Sequence, residues 1–304
     1  MVNDSKPLSI SVVIPAYNAG PYLAATLQSI LSQGAEGVEV ILVDGNSTDD
    51  TLQIASAFSN LSIKVITEPD RGQLDALQKG LRMATGDIVL WLNADDIVMP
   101  GAFSAVRANF AEQDVDFVYS DDVAFHEEDR GYYHGPPISG LSDLDHFLFY
   151  RQMCSECVYW RRSATRYLPE QAYDLRVYTD YAFFLRLRWG RRGRWVSKRL
   201  GAFRIRESQA SAQFKSRKRS EYLSIKGMHR DYIGMGMTFF VLGRLMYWPW
   251  FAIRQRLRPQ LQRGARRIVR LLTKDRRRSQ EANFFYSEWL LPMGSKGPRN
   301  EQYK

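Results

Sequence analysis

Four short apolar runs, each stopped by polar residues and followed by a helix-period pattern, set the strongest limit on how this chain can fold. Ser9 to Ile14 stops at Pro15, Val38 to Val43 at Asp44, Ile63 to Ile66 at Glu68-Pro69-Asp70, and Ile88 to Leu92 at Asn93-Ala94-Asp95-Asp96. Runs of this length rich in β-branched residues and bounded by turn residues read as buried strands. Between them the spacing predicts a helix from about Tyr22 to Ser32, with Leu23, Leu27, Ile30 and Leu31 on one face. A second helix carries Leu52, Ile54 and Phe58 behind a Ser47 or Thr48 cap, and a third carries Leu74, Leu77, Leu81 and Met83. Pro100 and Gly101 start a fourth, ahead of a fifth strand at Asp116 to Tyr119. Strand and helix alternating this closely predict an α/β fold with a mainly parallel central sheet and helices on both faces.

Loops that follow parallel strands lie on one edge of the sheet, so the polar strand ends at Tyr17-Asn18, Asp44, Asp70 and Asn93-Asp95 should meet in one crevice. Adjacent carboxylates at Asp95 and Asp96 would repel each other, and a divalent cation between them and a ligand is one remedy. The same residues also fit a solvated turn with an Asp capping the next helix. No GxGxxG follows the first strand and no GxxxxGKS occurs, which argues against a dinucleotide fold or a P-loop.

Further along, 121–150 loosens into what suits a ligand-facing loop and hairpin. Cys157 to Trp160, Trp195 to Ser197 and Gly201 to Ile205 read as short strands. Asp180 fronts an apolar helix anchored by Tyr181, Phe184, Leu185 and Leu187. It is either an N-cap or a carboxylate held towards the crevice. The two cysteines, Cys154 and Cys157, have no second pair and only four histidines to join them, so neither a disulfide framework nor a zinc site is expected. A reducing compartment suits such a chain.

Taken in order, Val12-Val-Ile-Pro-Ala-Tyr-Asn18, Val43-Asp-Gly-Asn-Ser-Thr-Asp-Asp-Thr51, Glu68-Pro-Asp-Arg-Gly72, Ala84-Thr-Gly-Asp87, Asn93-Ala-Asp-Asp96, Tyr159-Trp-Arg-Arg162 and Thr179-Asp180 resemble a family 2 glycosyltransferase of the GT-A fold. That resemblance implies an inverting transfer of a sugar from a nucleotide-diphosphate donor to a glycan or lipid-linked acceptor, with Mg²⁺ or Mn²⁺ as cofactor. It implies donor contacts from Pro15, Ala16, Tyr17, Asn18, Asp44 and Asp70, phosphate contacts from Arg71 and Lys79, and a DxD-like element at Asn93, Ala94 and Asp95. Asp95 is then the metal ligand, Asp96 lies near the donor sugar, and Asp180 is the catalytic base. Three departures stand out. Asn93 replaces the first Asp, Arg206 stands where relatives often carry a His, and Arg188-Trp189 resembles the QxxRW box of processive synthases without its Gln. The enzyme is therefore expected to be non-processive. A sugar nucleotidyltransferase would carry a glycine-rich basic loop after the first strand, unlike Pro15 to Asn18; a membrane-binding protein that kept the fold without catalysis is the other alternative.

With 304 residues, 45% apolar and 25% charged, the chain suits one large domain with an appendage. The expected division is a catalytic domain at 1–212 (donor half about 8–120, acceptor half about 121–212), a helical basic segment at 213–293 and a disordered end at 294–304. From Gln213 onward roughly twenty Lys and Arg face about six acids, more than the whole chain's net +9, so everything before it is mildly acidic. Gly234 to Ile253 has the length of a membrane span, but Arg244 in its middle would cost about 2.5–3.5 kcal/mol to insert. A helix lying in the interface, with Tyr247, Trp248 and Trp250 at headgroup depth and Arg254 to Arg270 on anionic lipid, avoids that cost. A helix packing on the catalytic domain with a solvated basic face also fits. No nucleic-acid module accompanies the charge, and the polar Met1 to Leu8 is no signal peptide. The expected location is cytoplasmic, peripheral to the membrane.

Overall fold

The computed structural model describes residues 7–111, 114–126, 132–134, 153–206 and 214–232. Two compact units divide the chain, Met1–His229 and Arg230–Lys304. The expected membrane-seeking stretch at 234–253, the basic stripe after it, the end at 294–304 and most of the 121–150 loop lie outside the described residues. No helix among the described residues is long and apolar enough to cross a membrane.

The first unit is built on β1 (Ile10–Ala16), β2 (Val38–Asp44), β3 (Ser62–Thr67) and β4 (Ile88–Trp91), with α1 (Gly20–Leu31), α2 (Thr51–Ala57) and α3 (Gln73–Met83) between them. Next come β5 (Ile97–Val98), α4 (Ala102–Phe110), β6 (Phe117–Ser120), β7 (Val123–Phe125), β8 (Tyr132–His134) and β9 (Val158–Arg161). The described chain finishes with α5 (Thr179–Arg188), β10 (Gly193–Val196), β11 (Gly201–Arg204) and α6 (Lys218–Tyr232). The large sheet runs β10-β6-β9-β4-β1-β2-β3, and a small one runs β5-β11-β7-β8.

β1 pairs in parallel with β2 and β4, and β2 with β3, as the alternation requires. One feature was not legible in that alternation. β9 inserts antiparallel between β4 and β6, so the fifth strand does not lie beside the fourth. Both faces of the central strands are buried: Ile10, Val12, Val13, Ile14, Val40, Ile41 and Leu42 are fully enclosed. Gly80 lets α3 lie directly on the sheet, since a Cβ there would sit 2.4 Å from Val13 Cγ1.

The loop after β2 corrects the expected helix cap. α2 begins at Thr51 behind Asp50, so neither Ser47 nor Thr48 caps it. Those hydroxyls and their neighbours hold the β1–α1 turn instead. Asn18, at φ 47°, donates its backbone N–H to Ser47 Oγ (2.8 Å) and accepts the Thr48 N–H at Oδ1 (2.9 Å). The first amides of α1 are satisfied by Thr51 Oγ1 at Ala19 (2.8 Å) and Asp49 Oδ2 at Gly20 (2.9 Å).

An aromatic cluster joins the sheet to α5. Trp91 of β4 packs edge-on to Phe183 (5.7 Å) and stacks on Phe184 (5.9 Å), and Trp160 of β9 meets Phe183 at 5.4 Å. All four rings are buried. Each such side chain contributes about 1.5–3 kcal/mol by burial. The cluster therefore fixes the middle of α5 against the end of β4.

Candidate active site

Two adjoining clefts open at the C-terminal ends of the parallel strands. The first, of about 340 Å³, is lined by Pro15, Ala16, Tyr17, Asn18, Asp70 and Asn93-Ala94-Asp95, among others. The second, of about 480 Å³, is lined by Asp122, Cys154, Glu156, Tyr178, Asp180 and Phe203. Gln73, Asn93, Asp95, Arg176, Thr179 and Arg206 line both. Asp95 therefore stands at the junction and Asp180 on the far wall.

The expected site residues divide into three groups, Asp180 alone facing only the second cleft. Eight face the first cleft; Tyr17 is 66% exposed there, an open aromatic face of the kind a nucleotide base can stack on. Asp70 is braced by the Gly72 N–H on its Oδ1 (2.8 Å), and Gly45 makes room for it, because a Cβ there would lie 2.6 Å from Asp70 Oδ2. Asp44, Arg71, Lys79 and Asp96 line neither cleft. Asp44 is fully buried and accepts both the Ser47 N–H (3.0 Å) and the Ser47 hydroxyl. Arg71 bonds Glu170 through its carboxylate (3.3 Å) and carbonyl (2.8 Å) and lies over the Tyr173 ring. Lys79 is held by Glu68 (3.0 Å), Asp75 (3.4 Å) and the Pro69 carbonyl (2.9 Å).

Asp96 turns inward, fully buried, and accepts from the Arg204 N–H (3.0 Å) and from Asn93 Nδ2 (2.8 Å). Burial, and then the neighbouring Asp95, push its pKa well above the carboxylate range. Glu156, equally buried, is pushed up by burial and then by Asp96. Burial raises both cysteine thiols, which are unbridged.

Asn93 is the node of the junction. Its Oδ1 accepts from Gln73 Nε2 (2.7 Å) and Trp91 Nε1 (2.9 Å), and its Nδ2 also reaches Ser155 Oγ (3.2 Å). Thr179 Oγ1 donates to Gln73 Oε1 (2.7 Å), completing a chain from β4 to the start of α5. Asp180 is the second residue of that helix rather than its cap, which is Tyr178, and its Oδ1 accepts the Tyr181 N–H (2.7 Å). Gln73 and Thr179 were not singled out as functional from sequence; Gln73 directly follows the Glu68–Gly72 motif, and Thr179 precedes Asp180.

Arg206 binds Asp95 Oδ2 through Nε (2.7 Å) and Nη2 (2.7 Å) and lies over the Tyr22 ring (4.8 Å). Asp95 offers a hard cation a single carboxylate, the same group whose Oδ2 Arg206 holds. No group of three or more His, Cys, Asp or Glu able to hold an ion occurs among the described residues. An ion there would take its other ligands from water and a diphosphate, a common arrangement for Mg²⁺.

The family model for glycosyl transferase family 2 matches residues 11–188, more than half of the chain and all of the junction except Arg206. The chain belongs to glycosyltransferase family 2. It is 34% identical over 181 residues to a PGL/p-HBAD biosynthesis glycosyltransferase of Mycobacterium bovis, covering 58% of this chain and 68% of that relative. Its fold is that of TarS from S. aureus, solved with UDP-GlcNAc (TM-score 0.57, 22% identity, 67% of this chain and 61% of that one). It is also that of the mannosyltransferase PcManGT from Pyrobaculum calidifontis, solved with GDP-Man and Mn²⁺ (TM-score 0.57, 18% identity, 96% and 89%). This family 2 chain is a glycosyltransferase with a GT-A-like fold.

Proposed function

We propose that this glycosyltransferase moves a sugar from a nucleoside-diphosphate donor in the first cleft to an acceptor hydroxyl in the second, by direct displacement with inversion. The observation that carries the proposal is the junction: Asp95 belongs to both clefts, and Asp180 lines only the second. Tyr17, Asn18 and Asp70 would receive base and ribose, and Asp95 with Arg206 would face the diphosphate. A divalent cation on Asp95 would supply stabilisation for the negative charge that grows on the leaving diphosphate. Arg206 adds a fixed positive charge beside the same group.

An acceptor hydroxyl has a pKa far above neutral, so it needs a base as its bond to the sugar forms. Asp180 would take that proton, and its place across the junction from Asp95 suits attack opposite the leaving group. Asp44, Arg71, Lys79 and Asp96 would shape the site rather than touch the donor. A glycan or lipid-linked acceptor remains the proposed class, and attachment of the 213–293 segment to an anionic membrane face rests on its composition alone.

The test uses release of nucleoside diphosphate from UDP- and GDP-sugars. Asp180→Asn and Asp95→Ala should each reduce turnover by about 10²-fold or more. Chelation with EDTA should do the same, with recovery on Mg²⁺ or Mn²⁺. Turnover that survives both substitutions would overturn the reading.

A further inference from the structure

The approach to Asp180 is gripped from both sides by α6, a helix outside the matched family region. Glu221 is 5% exposed, and its carboxylate accepts three consecutive backbone N–H groups: Arg176 on Oε1 (3.0 Å), and Val177 (2.9 Å) and Tyr178 (3.3 Å) on Oε2. Arg217, one turn earlier, pairs with the same carboxylate (3.4 Å) and donates to the Asp174 carbonyl (3.1 Å). On the other side of Asp180, Lys226 donates to the Tyr181 hydroxyl (2.6 Å) and lies over the rings of Tyr181 (5.3 Å) and Tyr222 (5.0 Å). The Tyr181 and Tyr222 rings stack at 6.1 Å.

Tyr178 stands at the cap of α5 without a side-chain cap bond. A buried carboxylate on successive N–H groups holds a turn strongly, because each bond is charge-assisted and removing the acceptor strands the donors. The residues it holds, 176–178, line the second cleft and lead directly into Thr179 and Asp180.

We propose that Glu221 is a positioning residue for Asp180: α6 clamps the 176–178 turn and so sets where the base stands relative to the donor sugar. Lys226, through Tyr181, fixes the other side of the same residue. The inference rests on Asp180 acting as the base. It assigns to a helix beyond the matched region a part in catalysis that charge and periodicity alone did not reveal. The local sequence Glu221-Tyr222 with Lys226 looks like an ordinary amphipathic helix face.

The experiment compares wild type, Glu221→Ala, Glu221→Gln and Asp180→Asn as full-length chains. It measures hydrogen exchange of the 174–182 amides and nucleoside-diphosphate release from UDP- and GDP-sugars. Glu221→Ala should speed exchange at 176–178 by more than tenfold. It should also lower kcat by roughly 10- to 100-fold while the donor KM moves less than about threefold, since misplacing a catalytic group affects the chemical step. Glu221→Gln keeps one acceptor oxygen and should fall between wild type and Ala. It also serves if the Ala variant does not fold. Unchanged exchange at 176–178, or a kcat equal to wild type in a folded Glu221 variant when Asp180→Asn is inactive, would overturn the clamp and leave the base assignment standing. Full turnover in Asp180→Asn would overturn the base itself, and the clamp with it.

Discussion

Asn93→Asp puts back the carboxylate expected first in this element, and the site predicts that it will cost stability. In the native protein Asn93 Nδ2 donates to Asp96 Oδ2 (2.8 Å) and Ser155 Oγ (3.2 Å), while Oδ1 receives Gln73 and Trp91. An aspartate keeps both incoming bonds but presents an acceptor where Asp96 needs a donor. Loss of a hydrogen bond to a charged group costs about 1.5–3 kcal/mol. Two ionised carboxylates about 4 Å apart repel by roughly 4 kcal/mol at an effective dielectric near 20. The pair limits that penalty by keeping a proton.

The sign with pH follows from this. Burial, then Asp95, already raise Asp96, while Arg204 and Asn93 hold it down. Removing the Asn93 donor and adding a carboxylate raises the pair further. A group whose folded pKa is raised gives stability that is present at low pH and lost as pH climbs through the folded value. Asn93→Asp should therefore be destabilised by up to about 3–4 kcal/mol, and by more at pH 8 than at pH 5. Urea unfolding of both proteins at the two pH values measures this. Equal stability at pH 8, or a deficit that grows as pH falls, would refute the donor role of Asn93.

Two further tests concern groups outside the clefts. Burial opposes ionisation of Glu39, but Lys64 (2.8 Å), Ser11 (2.6 Å) and Thr85 (2.7 Å) outweigh it and hold the pKa down at about 2. The stability it gives is present above pH 4.5 and lost towards pH 2. Glu39→Gln should cost about 1–2 kcal/mol at pH 7 after solvent screening, and thermal melts should show the difference vanishing near pH 2. Burial, assisted by the charges of Arg186 and Lys226, lowers His229 of α6 to about 4 against the pull of its bond to the Ile225 carbonyl (3.0 Å). Here too the folded pKa lies below the unfolded one, so stability is complete above pH 6.5 and falls as pH drops to 4, by up to about 3 kcal/mol. His229→Leu should flatten that slope, and a slope unchanged in the variant would place its origin elsewhere.

The strand ends at Asn18, Asp70 and Asp95 were legible because a parallel α/β alternation sends every such loop to the same edge, whatever the loop contains. Which neighbour points into the cleft was not, since that depends on partners distant in sequence. Asp95 and Asp96 are adjacent carboxylates, yet Arg206 holds one at the cleft and the Arg204 amide buries the other. The family resemblance implies phosphate contacts for Arg71 and Lys79. Glu170, 99 residues away, accepts Arg71, and Glu68 and Asp75 neutralise Lys79 before any ligand arrives. Antiparallel β9 was hidden for the same reason: strand 158–161 lies between β4 and β6 although both precede it. Local period therefore locates the cleft, while long-range pairing decides which charges remain available inside it. Glu221 is the extreme case, since its chemical meaning exists only where α6 meets the turn before Asp180.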